Sequence, residues 1–158
     1  MGHAFAVNFL EDGYQLSVCD RDPERMKALQ SKGAVAAPRL SDLADCDVVL
    51  TSLPNDEVLS AVALGPEGLA AVLSAGAVHI STSTVSPAMS RRVAEEHERH
   101  RQDYIAAPVL GNPDFALERK LFVLAGGLQS ALEKVRPLLE HLSQRLFVIG
   151  KTPQRRTL

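Results

Sequence analysis

The chain has 158 residues, a net charge of −2 and a pI of about 6.2, with 46% hydrophobic and 23% charged residues. That is ordinary globular composition, long enough for one domain with a real core. Weak net acidity, 4% aromatics and no Trp argue against a nucleic-acid surface, and no apolar run approaches the length of a membrane span.

Along the chain, helical and strand-like hydrophobic periods alternate. Ala4, Val7 and Leu10 predict a first helix, stopped by Asp12-Gly13, and Tyr14 to Cys19 predicts a strand. Asp22-Pro23 opens a helix carrying Met26 and Leu29 that stops at Gly33. An extended piece, Ala34 to Ala37, precedes a small helix around Ser41 to Ala44. Asp47 to Leu53 is the clearest buried strand and ends at Pro54. Helical packing follows at Val58, Leu59 and Val62 and again at Leu69, Val72 and Leu73, up to Gly76. Ala77 to Ile80 predicts another buried strand, followed by a charged helix to about His100. A strand at Tyr104 to Ala107, an irregular loop, a strand at Leu121 to Ala125, a helix at Ala131 to Leu142 and a strand at Leu146 to Ile149 complete the order. Such alternation predicts one α/β domain: a Rossmann-type doubly wound, mostly parallel sheet with helices on both faces.

Residues 78–87 carry the most information, because the apolar strand ends there in hydroxyls. Ser81, Thr82, Ser83, Thr84 and Ser86 lead into Pro87, with Ser86 as a natural N-cap. This sets several hydroxyls at the carboxyl end of a strand, where open α/β sheets bind ligands; a capped strand-to-helix turn is the plainer reading. The five histidines form no metal or triad constellation: His97, His100 and His141 sit on charged helical faces and read as solvated, and His79 reads as packed within its strand. Cys19 and Cys46 read as small core residues of a reducing cytoplasm.

Six segments, in order, resemble the β-hydroxyacid dehydrogenase family of 3-hydroxyisobutyrate and 6-phosphogluconate dehydrogenase-like enzymes. Residues 1–10 resemble the second half of its glycine-rich opening, and Val18-Cys19-Asp20-Arg21 the end of its second strand. Leu53-Pro54 resembles the motif after its fourth strand, and Ser83-Thr84-Val85-Ser86-Pro87 its substrate motif. Ala107 to Asn112 and Lys120 to Gly127 resemble two later segments.

The resemblance implies an NAD(P)-binding domain over residues 1–150, and hydride transfer between NADP(H) and a small hydroxy acid, aldehyde or imine. Gly2, at the start of the first helix, would face the cofactor's pyrophosphate, which a helix N-terminus favours. Asp20 lies 18 positions later, near the spacing for a ribose-binding carboxylate, while Arg21 suits a 2′-phosphate and tilts the choice to NADP(H) over NAD(H). Alternatively, Asp20 caps the following helix and Arg21 is solvated. Leu53, Pro54 and Val58 would line the nicotinamide side, and Thr84 would contact the cofactor. Ser83, Gly111 and Asn112 would bind the substrate, although Asn112 replaces a family glycine.

The resemblance also implies a parallel strand with two further glycines ahead of Met1. Beyond 151–158 it implies an interdomain helix with the catalytic lysine, and an all-α domain that makes the family a homo-oligomer. No catalytic residue and no metal ligand is assigned within the chain. The alternative to a working oxidoreductase is a non-catalytic dinucleotide-binding fragment. The expected partners are the dinucleotide and a small hydroxy-acid-like substrate, without nucleic acid or membrane.

Overall fold

A computed structural model describes residues 1–151; except for Lys151, the tail or helix expected over 151–158 lies outside them. In order, the elements are α1 (Gly2–Glu11), β1 (Ser17–Val18), α2 (Pro23–Gln30), β2 (Val35–Ala36), a 3-10 turn (Leu40–Leu43), β3 (Val48–Thr51), α3 (Asp56–Ala63) and α4 (Leu69–Val72). They continue with β4 (Val78–Ser81), α5 (Pro87–Arg99), β5 (Asp103–Ala106), β6 (Val109–Leu110), α6 (Pro113–Leu117), β7 (Leu121–Gly127), α7 (Gln129–Leu142) and β8 (Ser143–Lys151).

Local chemistry fixes most boundaries. Asp22, Asn55, Ser86 and Asn112 each cap a helix by accepting a hydrogen bond from a first-turn N–H, and proline occupies the first turn after three of them. Asp22, rather than Asp20, caps α2. The strand predicted from Tyr14 shrinks to two residues, because β1 has a ladder on one side only, with β2. Cys19 is consequently exposed and Cys46 half-buried, so neither is a core residue. The expected irregular loop instead holds β6 and α6.

The main sheet runs β3-β4-β5-β7-β6, with β8 on β7. Strands β3, β4 and β5 are parallel, as are β7 and β8, but β7 is antiparallel to β5 and β6. Ala106 pairs with Gly126 and Val109 with Val123, one unbroken register, so β5 and β6 are two parts of a strand interrupted at Ala107-Pro108. Proline has no N–H to give the ladder, but the Pro108 carbonyl still accepts from Leu124 N–H. At the β5–β7 crossing the approach is close: a Cβ on Gly127 would lie 2.5 Å from Ile105 Cδ1 and 3.0 Å from the Tyr104 carbonyl oxygen.

Strands β1 and β2 form a separate parallel pair. The strand that the resemblance implies between β1 and β3 is not among the described residues, and β1 and β3 share no ladder. Apolar packing holds the pair instead: Ala6, Leu29 and Ala34 are buried together against Val7, Leu10, Leu16 and Val18. On the main sheet, Val78, Ile80, Ile105, Val123 and Ala125 pack under Ala131, Leu132, Val135 and Leu139 of α7. The opposite face packs Tyr104 under Leu59 and Ala63 of α3 and Val93 of α5. Helices therefore cover both faces, as expected.

Candidate dinucleotide site

Parallel β3 and β4 deliver their following loops to one edge, and five hydrogen bonds stitch these segments together. The Thr51 carbonyl accepts from both the N–H and the hydroxyl of Thr82, each at 2.9 Å. Leu53 N–H donates to Ser83 Oγ at 2.8 Å, which leaves the Ser83 hydroxyl hydrogen for another acceptor. Ser86 donates its N–H (2.8 Å) and its hydroxyl to the two carboxylate oxygens of Asp56. Those bonds, the hydroxyl's foremost, hold the Asp56 carboxyl below its usual range.

Helix α1 begins at the same edge, because a Cβ on Gly2 would touch Ser52 Cβ at 3.6 Å, an ordinary contact. Its N-cap, Met1, gives no side-chain cap, so the first-turn N–H groups stay available to an anion. The chain turns at Asp12-Gly13 and passes through β1 to Asp20 and Arg21, which follow that strand directly. Both are exposed. Asp20 Oδ1 accepts from Asp22 N–H at 2.9 Å, and Arg25 approaches its other oxygen at 3.9 Å.

Of the expected residues, Leu53, Pro54, Val58, Ser83, Thr84 and Gly2 thus share the β3–β4 edge. Ser83 is buried, Leu53 and Val58 are half-buried, and Pro54 and Thr84 are exposed. Gly111 and Asn112 lie past β6. Gly111 has φ +141°, and a Cβ there would meet Leu121 Cδ2 at 2.5 Å, so the turn requires glycine. The Asn112 side-chain oxygen accepts from Phe115 N–H at 2.9 Å, leaving its NH₂ group as a donor.

One feature overturns the sequence reading. His97 is fully buried, not solvated, and its ring meets that of His79, which is also fully buried. Nitrogens of the two rings lie 2.8 Å apart. His79 Nε2 faces Thr51 Oγ1 at 2.9 Å, and His97 Nδ1 faces Gln102 Oε1 at 2.6 Å. Burial pushes both imidazoles below their usual range, His79 well below it. The available signal was spacing: His97 follows Val93 and Met89 at four-residue intervals, on the apolar face of α5. His141 is exposed as expected, but its Nδ1 lies 2.8 Å from Asp12, which also holds Arg119. Among the described residues, no group of three metal-ligating side chains occurs, and no helix is long and apolar enough to cross a membrane.

This edge, with hydroxyls, an uncapped helix start and α/β crossovers, has the chemistry to hold a dinucleotide. Comparison with known proteins agrees: residues 1–150 match the family described as the NAD binding domain of 6-phosphogluconate dehydrogenase. The chain belongs to that family. An uncharacterized oxidoreductase of Bacillus subtilis, YfjR, is 39% identical over 96% of this chain and 53% of its own length. The 3-hydroxyisobutyrate dehydrogenase of Pseudomonas aeruginosa is 29% identical over 95% of this chain and 51% of its own. Among solved structures, Psf3 in complex with NADP+ and 2-OPP superposes with a TM-score of 0.88 at 27% identity, covering 97% of this chain and 54% of that one. The chain therefore spans about half the length of the relatives it matches, and that half is their NAD(P)-binding, Rossmann-type domain.

Proposed function

We propose that this domain serves an oxidoreductase of the β-hydroxyacid dehydrogenase type, acting on a small hydroxy acid, aldehyde or imine, with NADP(H) preferred to NAD(H). The observation that carries the reading is the stitched β3–β4 edge beside the uncapped start of α1. When bound, the nicotinamide supplies the hydride chemistry, and the protein's part is to bind and orient it. The first-turn N–H groups at Gly2 hold the pyrophosphate. Leu53, Pro54 and Val58 form the apolar wall against the nicotinamide, and Thr84 donates to the cofactor. Ser83, whose oxygen is already occupied by Leu53 N–H, is oriented to donate its hydrogen to a substrate carboxylate. Gly111 and the Asn112 NH₂ complete the substrate side.

Asp20 serves the ribose, and the exposed Arg21 guanidinium serves a 2′-phosphate. The NADP+ bound to Psf3 supports that choice. The working protein is a cytoplasmic homo-oligomer in this reading.

The test is a titration with NADPH and NADH, following the dihydronicotinamide's own fluorescence, since the chain has no Trp to quench. Saturable binding is expected, and Arg21→Ala should lower the NADPH/NADH affinity ratio about tenfold, ~1.4 kcal/mol. A chain that is folded by circular dichroism yet binds neither nucleotide refutes the reading. An unchanged ratio in Arg21→Ala refutes the NADP(H) preference alone.

A further inference from the structure

The buried histidine pair belongs to a chain of hydrogen bonds whose direction can be deduced. Gln102 Nε2 lies 2.7 Å from the Leu73 carbonyl and 3.2 Å from that of Ala70, so the amide nitrogen faces two acceptors and must donate to both. Its oxygen therefore faces His97 Nδ1, which must carry the hydrogen. His97 Nε2 is then bare and accepts from His79 Nδ1–H at 2.8 Å, which leaves His79 Nε2 bare to accept the Thr51 hydroxyl at 2.9 Å. Both rings are neutral Nδ1–H tautomers, and every donor from Thr51 to Gln102 points the same way. At its head stands Thr51, whose carbonyl anchors Thr82, next to Ser83.

We propose that Thr51, His79, His97 and Gln102 form a one-way chain that positions the β3–β4 edge for the dinucleotide, and does so only while both rings are neutral. This rests on the proposed function for its ligand, but the tautomers and the edge can be read without one. An added proton has no place in the chain. On His97 Nε2 it would set two hydrogens between nitrogens 2.8 Å apart. On His79 Nε2 it would bury a cation and force the Thr51 hydroxyl to turn round.

Burial outweighs what the surroundings offer that charge. Strand β5 contributes the Tyr104 ring, 5.3 Å from His79 and 6.0 Å from His97 between centroids. Helix α3 packs Leu59 and Ala63 on this layer. Helix α5 brings Glu96, which favours a charged His97, and His100, which opposes it. Strand β4 adds Ser81, whose buried hydroxyl, like that of Tyr104, has no partner.

The experiment combines ¹⁵N-histidine NMR, amide exchange and NAD+ binding from pH 7.5 downward until the ring signals titrate. NAD+ is chosen because it has no phosphate monoester titrating in this range. The expected result is two neutral Nδ1–H rings at pH 7.5. As pH falls through the rings' depressed folded values, the Thr51, Thr82 and Ser83 amides lose protection, and the Kd for NAD+ rises about tenfold. Thr51→Ser, which keeps the hydroxyl, should retain this profile. The pair His79→Leu with His97→Leu should flatten it to within about twofold. If that double variant does not fold, Thr51→Val, which removes only the first link, should raise exchange at Thr82 already at pH 7.5.

An Nε2–H tautomer on either ring overturns the proposal, as does acid-induced loss of affinity that survives in the double Leu variant. Unchanged exchange at Thr82 and Ser83 while the rings titrate overturns it too. Absent NAD+ binding at every pH, with the expected tautomers and exchange, would instead count against the proposed function and leave the chain's control of the edge standing.

Discussion

The two faces of β4 solve different problems. Val78 and Ile80 point into an apolar layer under α7, packed with Ile105, Val123, Val135 and Leu139. His79 and Ser81, between and beside them, point the other way into a polar layer beneath α3 and α5. The apolar face is non-directional: it rewards burial and tolerates small shifts. The polar face is directional, since each buried donor needs one acceptor at one place, and it therefore fixes where the end of the strand sits. Stability resides mainly in the first face and position in the second.

The largest expected effect lies on the apolar face. Ile80→Ala should cost about 2–5 kcal/mol in urea unfolding, the range for emptying a closed core site. It should leave the shape of the pH profile unchanged, and a cost as small as that of a surface substitution would show that α7 does not seal this layer.

The polar face should appear instead in stability against pH. Both imidazoles are depressed in the folded state, so between their folded values and the ordinary 6.5 the unfolded chain binds more protons. The contribution is whole above that ordinary value and is lost as pH falls from it towards the folded values. Unfolding midpoints across this range check it; a flat profile between pH 7 and 5.5 would mean that the rings are not buried neutral.

A smaller effect is expected at the edge itself. Ser86→Ala removes both the cap of α5 and the hydroxyl's bond to Asp56, and should cost about 1 kcal/mol in thermal or urea unfolding. Asp56 has a depressed folded pKa, so the stability it adds is present above its usual carboxylate value and fades as pH falls through the folded one. In Ser86→Ala that acid-side fading should shrink but not vanish, because the backbone N–H at position 86 still donates to Asp56. If the variant loses stability but keeps the fading at full size, the hydroxyl is not the main cause of the depressed Asp56 carboxyl.

Much of this was legible beforehand because it is local. Asp22-Pro23 and Ser86-Pro87 announce helix starts, and the apolar runs at 47–53 and 77–80 announce buried strands, whatever the rest of the chain does. The places of Leu53 and Ser83 were legible for the same reason, since they follow immediately from strand ends. His97 was misread because its helix is charged on most sides, and composition hides a single buried position. Cys19 was misread because β1 looks like a core strand but carries a ladder on one side only.

The sequence by itself determined the order of strands and helices, their caps, and the hydroxyl-rich edge after β4, because periodicity, proline and capping side chains act within a few residues. Only the tertiary structure decided that β7 and β8 run against β3–β5, that β1 and β2 stand apart, and that His79 meets His97 across 18 positions. Pairing direction and the partner of a buried side chain depend on contacts between distant segments, and no local pattern encodes them.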